Sequence, residues 1–273
     1  MSDKLESGFP GFYTQFTTLL KEIGIPFDIL HGTADIWIRD YMPVQISKES
    51  FILFHYDPKY MYDVGLEHTI TDAEPLLRNL SFSYKKLNEI CLDGGNVVKS
   101  ERKAITTDFL CKYNPGFRRS DLRKLLLSEL RAEKIIIIPH EPYDYTGHAD
   151  GMVRFLDESH VLVNDYKGYN STISDRLIKT LNANKLIPVA FPYHPSEKLN
   201  KAGDYTAIGN YMNFLWVGNM VVLPEFRLKD EAQHLTTARK ILEPLGLNVY
   251  TVDAREIAEQ GGVLNCVTWG VKV

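Results

Sequence analysis

The chain has 273 residues, with 31 Lys or Arg against 35 Asp or Glu, a formal net charge of −4. Apolar residues make up 44% and charged residues 24%, the balance of a folded globular protein, which excludes a disordered one. The mild acidity argues against a nucleic-acid partner, which calls for a basic face, and the longest apolar stretches, 135–138 and 214–223, are too short or too interrupted to span a bilayer. In chain order, Phe12, Phe16, Leu19, Leu20 and Ile23 line one face of a helix over 11–23. Pro26 blocks its continuation, and 27–30 reads as a strand. A helix is expected over 121–130, then the apolar strand Lys134–Ile138, stopped by Pro139. His160–Asn164 alternates as a strand, 174–181 is helical and 186–191 is a strand. The runs 212–217 and 220–223 flank Gly218-Asn219, a hairpin turn. Glu231–Leu242 reads as a helix, 247–252 as a strand and 263–271 as a final strand. The class is α/β or α+β, with strands too closely spaced for a simple doubly wound sheet.

A longer period underlies this order. Polar turn clusters occur at Arg39-Asp40, Asp93-Gly94-Gly95-Asn96, His148-Ala149-Asp150 and Asn265-Cys266. The step from Asp40 to Asp93 is 53 residues, that from Asp93 to His148 is 55, and Cys266 follows His148 by 118, about two further steps. A turn cluster at Gly209-Asn210 falls near the midpoint of that last interval. The spacing suggests about five copies of one unit, each sending a loop to a shared centre.

Singly, these residues have bland readings. An Asp before two glycines forms turns, and a lone Cys is most often a small apolar residue. Cys91 and Cys111 keep that reading, each in an apolar, strand-like context (EICLD, DFLCKY). Three cysteines without a C-x-x-C pair make no disulfide framework and fit a reducing compartment. The opening MSDKLESGFPGF has no apolar h-region, so a cytoplasmic location is expected and the sequons at Asn79 and Asn170 are chance matches. Together, however, one thiol, one His and three carboxylates suit one chemistry. A guanidinium is planar and permanently charged and presents paired N–H donors, which carboxylates accept bidentately. Breaking its C–N bond needs a strong nucleophile, for which a thiolate serves, and a proton for the departing nitrogen, for which His serves.

Five motifs, DIWIRDYMP, LDGGNVV, YTGHADGMVRF, AIGNYMNF and GGVLNCVT, resemble in order those of the agmatine deiminase and bacterial peptidylarginine deiminase family of the guanidine-modifying (pentein) superfamily. The resemblance runs from about residue 35 to 268. It implies a single catalytic domain over 1–273 with the α/β fold of a five-bladed propeller of ββαβ repeats, in which the early R-D motif leaves the first repeat incomplete. It implies hydrolysis of a guanidinium through an amidino-cysteine on Cys266, with His148 as general acid and base. Asp40 and Asp150 would grip the guanidinium, and Asp93 would lie beside His148 and reach the substrate. Trp37 has two readings, packing over a cationic substrate or anchoring a core; Arg39 reads as a structural partner of a carboxylate.

The chain departs from the family pattern at Asp93, where Glu is usual and whose shorter arm draws the carboxylate back from His148. It departs also at Met42 in place of Gly and at Asn265 in place of the His before the nucleophile. Agmatine, converted to N-carbamoylputrescine in putrescine and polyamine metabolism, is the leading substrate. Alternatives are peptidyl or free arginine, amidino transfer to an amine, and a pentein that only binds. No cofactor or metal is expected, since the chemistry needs none and no P-loop, dinucleotide or zinc spacing occurs; His140, Glu141, Asp144 and His148 read as a polar loop. The expected partner is a small cationic guanidino compound, with no nucleic acid and no membrane, and a homo-oligomer is compatible with the reading.

Overall fold

The computed structural model describes residues 1–273 except 79, 81, 197, 198, 200–202, 204 and 273. The chain divides into two compact units, one of residues 1–39 and 191–270, the other of 40–190 and 271–273. Among the described residues the second unit holds three sheets and the first holds one, each of three strands in chain order.

In the second unit, β1 (Val44–Ser47) and β2 (Ser50–His55) form an antiparallel hairpin, and β3 (Ser83–Cys91) joins β2 in parallel. The pattern repeats with β4 (Val98–Lys99), β5 (Lys103–Thr107) and β6 (Lys134–Ile138). It occurs again with β7 (Val153–Phe155), β8 (His160–Asn164) and β9 (Ile187–Phe191), where β7 and β8 are antiparallel and β9 follows β8 in the sheet. In the first unit, β10 (Leu215–Val217) and β11 (Met220–Glu225) make the hairpin and β12 (Asn248–Asp253) the parallel strand. Antiparallel neighbours need only a turn, as at Gly218 with φ +58°, whereas a parallel neighbour needs a crossover of a dozen residues or more. Helices Phe109–Tyr113 and Arg119–Glu129, Ser171–Ala183 and Glu231–Leu242 supply three of these crossovers. The same ββαβ unit is thus present four times among the described residues.

The central strands are readable because both faces are covered. Four of the five residues of β5, β6 and β8 are buried, so these strands carry near-continuous apolar runs. Helix Arg119–Glu129 lays Leu122 and Leu126 on the core formed with Ile52, Leu87, Ile135 and Ile137. Helix Ser171–Ala183 begins where the Asn170 side chain accepts the Ile173 N–H at 3.1 Å, so this sequon residue is an N-cap. Asn79 lies outside the described residues.

Several boundaries differ from expectation. The first long helix is Pro10–Glu22, with Pro at its opening position, where its missing N–H is harmless. Residues 27–30 are not a strand. Only Leu30 bridges Ser2, because the partner segment turns into helix Lys4–Gly8 at once and offers no ladder. Residues 263–271 are not a strand either. Val263, Leu264 and Val267 are fully buried at helical-turn spacing, Val267 N–H reaches the Val263 carbonyl, and the Thr268 hydroxyl turns back to the Leu264 carbonyl. Cys111 lies in helix Phe109–Tyr113, while Cys91 ends β3. No helix among the described residues is long and apolar enough to cross a membrane.

Leu122 is fully buried in an apolar core of the second unit. Leu122→Ala should therefore lower the free energy of urea unfolding by about 2–5 kcal/mol, while Arg123→Ala on the exposed face of the same helix should change it by less than about 0.5 kcal/mol.

Candidate active site

In the second unit the ends of several elements meet at His148. Asp93 follows β3, Asp40 lies in the short helix Ile38–Tyr41, and His148 and Asp150 sit in the loop before β7. All four side chains are buried. His148 Nε2 lies 2.9 Å from Asp93 Oδ2, and its Nδ1 lies 3.5 Å from Asp40 Oδ1. The shorter arm of Asp93 therefore does not cost it the imidazole, which corrects the expectation drawn from the missing methylene. Asp93 Oδ1 is buried without a hydrogen-bond partner.

Gly95 is the hub of this cluster. Its N–H donates to Asp40 Oδ1 at 3.1 Å, and its carbonyl accepts the Asp150 N–H at 3.1 Å. A Cβ at this position would overlap Asp40 Oδ1 and stand 2.7 Å from His148 Nδ1. Only glycine lets the backbone come this close to both side chains. The neighbouring Asn96 accepts the Thr107 N–H at the end of β5, and the Thr107 hydroxyl donates to the Gly147 carbonyl, which ties two turns to one strand end. Gly147 has φ +65°, and a side chain there would run into the Phe109 ring. Asp144 then accepts the His148 N–H at 3.1 Å.

The electrostatics follow from this packing. Burial by itself pushes the His148 pKa down, but the charges of Asp40, Asp93 and Asp144 and the Asp93 hydrogen bond outweigh it and raise the pKa to about 10. The imidazole is thus a doubly protonated donor at neutral pH. A raised pKa is stability present below the unfolded value, about 6.5, and lost as pH rises through about 10. The stability advantage of wild type over His148→Gln should therefore shrink between pH 7 and pH 10, at up to about 1.4 kcal/mol per pH unit, as read by urea unfolding at each pH.

Cys266 belongs to the first unit and is buried. Its turn is held from two sides. Asn213 Oδ1 accepts the N–H of Asn265 at 3.1 Å and that of Cys266 at 3.2 Å. Arg39 donates from its backbone to the Cys266 carbonyl and from its guanidinium to the Asn265 carbonyl and Oδ1. Asn265, which stands where the family pattern has His, serves as an acceptor in this bracket. Trp37 is half-buried, and a Cβ on Gly262 would overlap its ring, so the indole lies against the glycine turn that leads to Cys266. That contact supports the anchoring reading of Trp37.

Cys91 is buried, and burial pushes its thiol up to about 12, as suits an unreactive core residue. The polar loop disperses to separate partners: His140 to Asp108, Glu141 to the Tyr166 hydroxyl, Asp144 to the turn ahead of His148. Among the described residues no group of three or more His, Cys, Asp or Glu is placed to hold a metal ion. Sequence reading gave no role to Tyr60, whose hydroxyl lies 3.3 Å from Asp93 Oδ2, or to Asn213. Asn213 carried a signal within AIGNYMNF; Tyr60, in KYMYD, carried none.

Repeated ββαβ sheets bearing a buried acid–histidine cluster, with a separately braced cysteine, define an α/β protein of the pentein type. The model of the Porphyromonas-type peptidyl-arginine deiminase family matches residues 16–271, and the chain belongs to that family. It is 22% identical over 277 aligned residues to a Streptococcus mutans protein named "Putative agmatine deiminase", covering 86% of this chain and 73% of the relative. Among solved structures it is similar to the agmatine deiminase of C. jejuni, with TM-score 0.74, 17% identity and coverage of 97% of this chain and 88% of that one. It is also similar to the agmatine deiminase of Enterococcus faecalis, with TM-score 0.69, 17% identity and coverage of 85% and 73%. At these identities the solved structures speak for the fold.

Proposed function

We propose that the protein is a hydrolase of C–N bonds in guanidines, converting a guanidinium to a ureido group and ammonia, with agmatine as the leading substrate. The observation that carries this reading is the proton-loaded, buried His148 set against Asp40 and Asp93, with one Asp93 oxygen left unpartnered. A buried carboxylate oxygen without a donor is costly in the resting protein, and a planar cation with paired N–H groups relieves that cost. Family membership and the names of the relatives support the same chemistry.

In this reading the chain from 1 to 273 acts as one cytoplasmic catalytic domain, and the five-bladed arrangement implied by the motifs extends the four ββαβ units described above. The Cys266 thiolate attacks the central guanidinium carbon. His148 gives its proton to the departing nitrogen, which leaves as ammonia, and an S-alkylthiouronium remains on Cys266. His148, now neutral, takes a proton from water, the hydroxide adds to the same carbon, and collapse expels the thiolate with the ureido group, whose hydroxyl proton passes through solvent to the released ammonia. Guanidinium plus water thus gives urea-type product plus ammonium, with the thiolate and the imidazolium regenerated. Asp40, Asp93 and Asp150 accept the substrate N–H groups throughout, and Arg39, Asn213 and Asn265 hold the thiol's turn.

The family description favours arginine within a peptide as a second substrate, so ammonia release should be assayed across agmatine, arginine and short arginine peptides. Turnover is expected with agmatine above the others. Ureido product from peptides alone would move the assignment to peptidylarginine; an amine-dependent product without ammonia would make the protein an amidinotransferase, and binding without turnover a non-catalytic pentein. His148→Ala should lower kcat by about 10²–10⁴, the scale of general acid–base catalysis, and near-normal turnover in that variant would assign the proton transfer elsewhere.

A further inference from the structure

We propose that Tyr60 is a positioning residue of this site, pinning the Asp93 carboxylate so that Oδ2 holds His148 while Oδ1 stays turned to a guanidinium N–H; the substrate half of the proposal rests on the deiminase reading. Tyr60 lies in helix Lys59–Asp63 and is buried, whereas Tyr62 on the same turn is exposed. Its hydroxyl approaches Asp93 Oδ2 at 3.3 Å, the oxygen that His148 Nε2 meets at 2.9 Å. Two donors therefore converge on one oxygen, and none among the described residues reaches the other. The terminal torsion of a carboxylate is broad, so a single donor on one oxygen leaves the carboxylate plane, and with it the direction of the other oxygen, free to swing. A second donor on the same oxygen removes that freedom.

The phenol is held as a donor here. Burial first, then the nearby Tyr56, Asp93, Asp40 and Tyr145, hold its pKa well above the ordinary value for tyrosine, so it stays a donor. Its ring is fixed edge-on to Tyr145, with centroids 5.4 Å apart, and edge-on to His148 at 6.4 Å. The groups that face His148 are then Asp40, Asp93 and Asp144 as acceptors, with Tyr60 donating to Asp93 and the Gly95 N–H donating to Asp40. The Asp that stands here in place of the family's Glu has one torsion fewer, and Tyr60 supplies the contact that makes its short arm rigid.

Tyr60→Phe removes the O–H and keeps the ring. In ligand-free protein the resonance of the His148 Nε2 proton should move downfield, since Oδ2 then serves the imidazolium alone; an unmoved resonance overturns the proposal. In a Cys266→Ser background, expected to bind without turnover, Tyr60→Phe should weaken agmatine binding by about 5–10-fold by calorimetry. The same change combined with Asp93→Asn should cause no further loss. Equal losses with Asp93 and with Asp93→Asn would show that Tyr60 acts independently of the carboxylate and would overturn the proposal. A resonance that moves in a protein to which no guanidino compound binds supports the grip of Tyr60 on Asp93 and overturns the deiminase reading instead.

Discussion

The second unit is organised around one costly object, a buried imidazolium. An ionised group taken out of water is destabilising by several kcal/mol unless it is paired and hydrogen-bonded. His148 meets that demand with Asp93 on one ring nitrogen, Asp40 near the other, and Asp144 on its own backbone N–H. Breaking one member leaves the others as uncompensated buried charge, so the cluster stands as a unit. Its residues come from three separate stretches of chain, and their convergence is what the repeated ββαβ sheets achieve.

Close approach is the geometric form of that constraint. Gly95 lets the Asp40 and His148 side chains occupy a space that a single methyl group would fill, and Gly147 bends the loop against Phe109 where an ordinary residue would be strained. The strand ends contribute directly: Thr107, last of β5, ties the Asn96 turn to Gly147, so the sheet register passes to the His148 loop through two hydrogen bonds. In the first unit the same economy applies to Cys266, whose turn is bracketed by Asn213 and Arg39.

What could be seen in the sequence follows the same physics. The apolar runs of β6 and β8 announced themselves because both faces are covered, and the amphipathic helix Glu231–Leu242 was read at its observed bounds. Short edge strands such as β4, with two residues, and β7, with three, carry too little periodicity to register. The segment 263–271 was misread because buried Val263, Leu264 and Val267 look like strand residues until the backbone bonds of the turn are known. The acid and histidine positions were legible from turn motifs, but the contact between Asp93 and His148 was not. It depends on where a short side chain ends in space, and Tyr60, which shares that oxygen, comes from a helix with no motif at all.

A proton held by a buried histidine serves this chemistry only if a thiol makes a leaving group for it. Acid-quenched turnover followed by mass spectrometry of the digested protein tests that link most directly. The account predicts a transient adduct, equal to the substrate less ammonia, on the peptide containing Cys266. An adduct on the peptide of Cys91 or Cys111, or undiminished ammonia release by Cys266→Ser, would contradict it.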